Sequence, residues 1–154
     1  MNFSGDVLLH AAPEAVWAAL LDPSSLQHCL PGCQSLEPIG PDHYEATVTL
    51  GIAAVKGSYK GRVQITDKQE PTSYVLQVEG AGSSGTVKGT GSMVLTPSPD
   101  GTSVHWSADA QIGGPIASVG QRLVGGVAKL IAGDFFKCMD RHLAENGAAV
   151  EKRA

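Results

Sequence analysis

The side chains that could do chemistry are few. His28-Cys29-Leu30-Pro31-Gly32-Cys33 places two thiols and an imidazole close together, a combination that suits metal ligation or thiol redox work. A zinc site needs four ligands of compatible geometry, and no second Cys or His cluster lies nearby in sequence. Cys138 is far away, so the three cysteines fit reduced thiols better than a disulfide framework, with Cys29 and Cys33 as small buried side chains beside a turn. His10, His43, His105 and His142 fall in separate segments and form no evident set. The run Gly80-Ala81-Gly82-Ser83-Ser84-Gly85 has the composition of a phosphate loop, but it lacks the Lys-Ser/Thr pair and leads into a strand pattern. It reads as a hairpin loop that could gate a cavity.

The remaining polar candidates are three phenols and an indole, and their meaning depends on the elements that carry them. From Ser35 to Ile112 the chain alternates apolar and polar residues between turn signals at Pro38–Asp42, Gly51–Ala54, Asp67–Thr72, Gly80–Gly85 and Pro97–Gly101, which predicts about six strands. In the register set by the bulky residues, Tyr44, Val48, Tyr59, Val63, Tyr74, Leu76, Val87, Met93, Trp106 and Ala108 share one face with Gly89 and Gly91. Arg62, Gln64, Lys88, His105 and Asp109 fall on the other. One dry face and one wet face predict an antiparallel sheet.

Two segments flank these strands. Met1–His10 alternates as a further strand, and after it come two short helices, one opening at Pro13 and one capped by Asp22 and stopped by Pro31-Gly32. At the other end, Gly114 to Glu145 reads as one long amphipathic helix begun by Pro115, with Ile116, Val119, Leu123, Val127, Ile131, Phe135 and Cys138 on its apolar side. At about 1.5 Å per residue it would run about 45 Å. The order strand, two helices, six strands, long helix predicts an α+β helix-grip domain spanning residues 1–154, in which a curved seven-stranded antiparallel sheet wraps the C-terminal helix.

The dry face is rich in Gly and Ala where a filled core would use larger side chains, so a cavity between sheet and helix is expected, walled on the helix side by Ile116, Leu123 and Val127. The competing reading is that the strand glycines let the sheet bend and the helix pack close. In this register no Asp, Glu, Lys or His enters the cavity, so no group with a pKa near neutrality is placed for acid–base catalysis. Phenols and an indole N–H among aliphatic side chains suit an apolar ligand with a carbonyl or hydroxyl end, such as a quinone or a lipid. A slip of one strand by one residue would turn His105 or Asp109 inward and reopen an enzymatic reading.

Composition narrows the partners. The net charge of −4, the scattered Lys and Arg and the low aromatic content of 5% exclude the basic footprint of a nucleic-acid binder. With 42% hydrophobic residues, 154 residues can bury a core without metal or disulfide support. Met1–Leu9 lacks the pattern of a signal peptide and no stretch approaches a spanning helix, so the chain reads as cytoplasmic.

Pro13 with Val16-Trp17, Asp22-Pro23, Cys29 with Pro31-Gly32-Cys33, Gly57, Gly61, Asp67 and Pro71 with Tyr74 recur along the chain together with Gly80, Gly82, Gly85, Gly89 and Thr102. Gly113-Gly114, Gly120 with Arg122-Leu123, and Phe135-Phe136 complete the set. In this combination the sequence resembles the CoxG family of carbon monoxide dehydrogenase, a branch of the START-like or SRPBCC superfamily. The resemblance implies an accessory protein of a molybdenum hydroxylase, acting in its maturation or in its attachment to the membrane and its quinones. It also implies the hydroxylase subunits as partners, no covalently bound cofactor, and a place at the inner face of the membrane. A maturation chaperone working through its outer surface and a small START-like cyclase or hydrolase are the alternatives. Some relatives carry a C-terminal extension toward the membrane. This sequence ends at Ala154, so membrane contact is expected to be peripheral.

Overall fold

The computed structural model describes residues 1–51 and 56–145, apart from the side chains of Val119 and Gln121. The turn predicted at Gly51–Ala54 falls, beyond Gly51, outside the described residues. Seven strands form one antiparallel sheet in the order β1-β7-β6-β5-β4-β3-β2. They are β1 Asn2–Leu9, β2 Cys33–Gly40, β3 His43–Leu50, β4 Gly57–Gln69, β5 Ser73–Gly82, β6 Gly85–Ser98 and β7 Gly101–Gly113. Helices α1 Pro13–Leu20 and α2 Pro23–Cys29 lie between β1 and β2, and α3 Gln121–Glu145 closes the order. Each short helix starts on a proline, where a missing N–H costs nothing. Asp22 caps α2 by accepting from the Ser25 N–H, as its position predicts. This is the helix-grip arrangement.

The register follows the alternation. Tyr44 stands opposite Val63, Val63 opposite Val78, Val78 opposite Gly89 and Gly89 opposite Ala110, so one face carries the apolar set across five strands. His105 and Asp109 belong to the other face, and the His105 ring nitrogen Nδ1 sits 2.9 Å from the Asp6 carboxylate across the β1–β7 pair. No strand has slipped to bring them inward.

The core occupies one end of the grip. Leu9, Val16, Trp17, Leu20, Ile65, Tyr74, Leu95 and Val104 pack there with Phe136, Met139 and Leu143 from the last turns of α3. Thr102 is buried among them, its hydroxyl donating to the Ala11 carbonyl at 2.7 Å.

The C-terminal segment departs from the predicted single helix. Pro115–Val119 forms a 3₁₀ turn, and Gly120 at φ +92° separates it from α3. An L side chain rarely adopts that backbone angle, so glycine permits the break. The turn is held from outside: the Ile116 N–H donates to the Ser84 carbonyl at 2.7 Å, and the Ile116 side chain is buried over Gly85. Helix α3 therefore has 25 residues and runs about 37 Å. Its buried positions are Val124, Phe136, Met139 and Leu143, a stripe rotated from the predicted one because α3 sits against β1, α1 and α2. Ile116 no longer belongs to the helix, and the predicted contact of the Val119 side chain lies outside the described residues.

Gly126 and Gly133 are exposed in the helix interior, and an added Cβ meets nothing within 4 Å at either. Gly126→Ala and Gly133→Ala are each expected to raise stability by about 1 kcal/mol, because alanine loses less backbone freedom in a helix. Denaturant midpoints of the single and double variants check this, and additive gains are expected.

A half-filled groove as candidate functional site

Away from the core end, the apolar face of the sheet is incompletely covered. Val48, Tyr59, Val63, Val78, Val87, Ala108, Ala110 and Ile112 are all half-buried, and none belongs to the core cluster. The first half of α3 is equally unfilled: from Gly125 to Phe135 no residue is buried. Leu123 and Leu130 are 45% and 52% exposed. With Val127 and Ile131 they form an apolar stripe at helical spacing. A packed interior would bury these groups, so sheet and helix leave an incompletely covered apolar region at this end. The 3₁₀ turn stands at one end of it through buried Ile116.

The predicted lining residues divide accordingly. Val48, Tyr59, Val63, Val87 and Ala108 lie on the half-buried part of the face, and Leu123 and Val127 on the uncovered part of the helix. Tyr44, Leu76, Met93 and Trp106 sit at the boundary, partly buried against the core. Tyr74 belongs to the core itself: it is 2% exposed and meets the Trp17 ring edge-on at 5.4 Å. Burial pushes its phenol well above the usual tyrosine range. The Trp106 indole lies over Gly5 of β1, where an added Cβ would come within 2.8 Å of the ring. That contact explains a glycine in the middle of an edge strand.

Several strand glycines answer to backbone approach and not to cavity space. A Cβ at Gly89 would lie 2.7 Å from the Asp109 carbonyl, and one at Gly61 would lie 2.9 Å from the Glu79 carbonyl. At Gly82 and Gly85 it would strike the carbonyls of Ser58 and Gly113. Side chains there would push strands apart, so the expectation that Gly89 reserves room for a ligand is corrected. Gly91 is less constrained, with the Ser107 carbonyl at 3.3 Å.

The cysteines also differ from expectation. Cys29 at the end of α2 and Cys138 on α3 form a disulfide, with Cα atoms 5.3 Å apart, and Cys33 is the free thiol. Burial raises the Cys33 thiol above its ordinary value. The sequence pointed to Cys29 and Cys33 because they are neighbours in the chain. Packing of α2 against α3 brings Cys138 instead. The same junction gathers polar groups that looked unrelated in sequence. The Ser25 hydroxyl donates to Asp22 at 2.8 Å and lies 2.9 Å from His142 Nε2, and the His28 and His142 rings are 5.8 Å apart. Nearby, Asp140 accepts from the His10 backbone N–H at 2.8 Å and lies 2.9 Å from the His10 ring. The available signal was the shared spacing: Ser25, His28 and Cys29 on one helix face, Cys138 and His142 one turn apart on another. Among the described residues no three of His, Cys, Asp and Glu form a metal-binding group.

Two clefts of about 470 Å³ each lie on the polar side of the sheet. The first is lined by Arg62, Gln64, Gln77, Glu79, Lys88 and Asp109 among others, and the second by Ser4, Ser92 and Ser107 among others. Most of these side chains belong to the wet face, across the sheet from the apolar one.

The family model of the carbon monoxide dehydrogenase protein CoxG matches residues 5–144. The chain belongs to the CoxG family. Among solved structures, a conserved protein from Geobacillus kaustophilus is 44% identical to this CoxG family member and superposes with a TM-score of 0.91 over 94% of this chain and 96% of that one. A START superfamily protein from Mycobacterium smegmatis is 15% identical with a TM-score of 0.74, over 94% and 97% of the two chains. A protein from Thermus thermophilus is 16% identical with a TM-score of 0.71, over 95% and 99%. At those lower identities the likeness shows the fold alone, and the fold is START-like. No protein of curated function matches the chain. Among the described residues of this CoxG family member, no helix is long and apolar enough to cross a membrane.

Proposed function

We propose that this CoxG family member is an accessory protein of a carbon monoxide dehydrogenase-type molybdenum hydroxylase. It holds a hydrophobic small molecule, quinone- or lipid-like, in the groove between the sheet and the first half of α3. The observation that carries this reading is the half-buried apolar face of the sheet, together with an α3 on which no residue between Val124 and Phe136 is buried. Apolar area left uncovered in this way gains about 25 cal/mol for each Å² that a ligand removes from water. The family name supports the hydroxylase as partner, and membrane contact would be peripheral. In this reading the ligand face contributes no acid or base, and the protein carries its ligand without transforming it.

Native mass spectrometry of the purified chain, followed by solvent extraction, tests the carrier role. A bound isoprenoid quinone or lipid is expected, and Val63→Trp, which places a large ring in the groove, is expected to lose it while remaining folded. If the chain emerges without any apolar ligand and takes up neither added short-chain quinone nor phospholipid, the groove is not a carrier site. The surface chaperone reading would then stand, with the polar clefts around Arg62 and Lys88 as its first surface to alter.

A further inference from the structure

The Cys29–Cys138 disulfide sits where it can govern the helix that walls the groove. Helix α3 is held near its start by Val124 and near its end by Phe136, Met139 and Leu143, with an unburied span between. The disulfide ties α2 to α3 within the second anchor, beside the Ser25–His142 hydrogen bond. Its two sulfurs are unequally reachable: Cys29 is 3% exposed, whereas Cys138 is half-buried. We propose that this disulfide is a redox clasp: oxidised, it fixes α3 against α2 and retains the ligand, and reduced, it lets α3 open and the ligand exchange. The ligand half of the proposal rests on the carrier reading above.

The chemistry is thiol–disulfide exchange with a dithiol reductant. A thiolate of the dithiol attacks Cys138 Sγ, the more accessible sulfur, and the bond to Cys29 Sγ breaks. Cys29 leaves as a thiolate and takes up a proton. The second thiol of the reductant then displaces Cys138 Sγ, forming the reductant's own disulfide. In sum two electrons and two protons pass from the dithiol to the cysteine pair. A cross-link between segments distant in sequence removes many open states, so its loss raises the frequency of local opening.

Amide hydrogen exchange across residues 122–139 and the dissociation rate of Nile red should be measured on the full chain, oxidised and after dithiothreitol. Reduction is expected to speed both at least about tenfold. Cys33→Ser should retain the response, and Cys29→Ala with Cys138→Ala should show the fast values with or without reductant. Equal exchange rates in the oxidised and reduced wild-type chain overturn the clasp. Accelerated exchange with no Nile red bound in either state also overturns redox control of a ligand, and in that case it is the carrier reading that has failed. The wild-type and Cys33→Ser measurements decide the matter even if the double variant does not fold.

Discussion

Phe136→Ala is expected to destabilise the fold by about 3–5 kcal/mol, while Leu123→Ala on the same helix costs about 1 kcal/mol or less. Phe136 is 4% exposed, within the cluster that joins α3 to the sheet and α1, and its ring meets Phe135 edge-on at 5.1 Å. Removing it deletes transfer energy and leaves a void that rigid neighbours cannot close. Leu123 is 45% exposed, so its truncation removes little buried contact and leaves no closed void. Its effect should appear in ligand affinity instead. Denaturant midpoints and titration with a short-chain quinone on both variants give the contrast. Equal destabilisation, with Leu123→Ala leaving affinity unchanged, would mean that the helix plugs a solid core.

Replacing Cys29 and Cys138 together by Ala is expected to lower stability by about 3–5 kcal/mol relative to the oxidised chain. The bond closes a sequence separation of 109 residues, and cross-linking a loop of that order restricts the unfolded chain by about 4–5 kcal/mol. The comparison has an internal control, since the wild-type chain treated with dithiothreitol should fall to about the level of the untreated double variant. Cys33→Ser should change little, because that thiol is free and only partly buried. A wild-type chain whose midpoint does not respond to reductant would show that the disulfide contributes nothing to the folded state. Both predictions concern the same end of the molecule, where packing and cross-link together determine how firmly α3 is held.

The sequence by itself determined the sheet. Strict alternation from Tyr44 through Ile112 leaves a single register in which Val63, Val78 and Ala108 share a dry face, because a one-residue slip would expose all of them at once. It determined the two short helices as well, through Pro13, the Asp22 cap and the Pro31-Gly32 stop, which are local backbone effects. Local rules were not enough at the C-terminal segment. Its apolar residues fit more than one helical stripe, and only contact with β1, α1 and α2 selected Val124, Phe136, Met139 and Leu143 over Leu123. Gly120 could have been helical, and the break there was decided by the hold of Ser84 on Ile116. The glycines were ambiguous for a related reason: a missing side chain reads the same whether it makes room for a ligand or for a neighbouring carbonyl. At Gly89 the position of Asp109 decides for the carbonyl. The pairing of Cys29 with Cys138, and the meeting of Ser25 with His142, required two helices remote in sequence to lie side by side, which no spacing within either helix specifies.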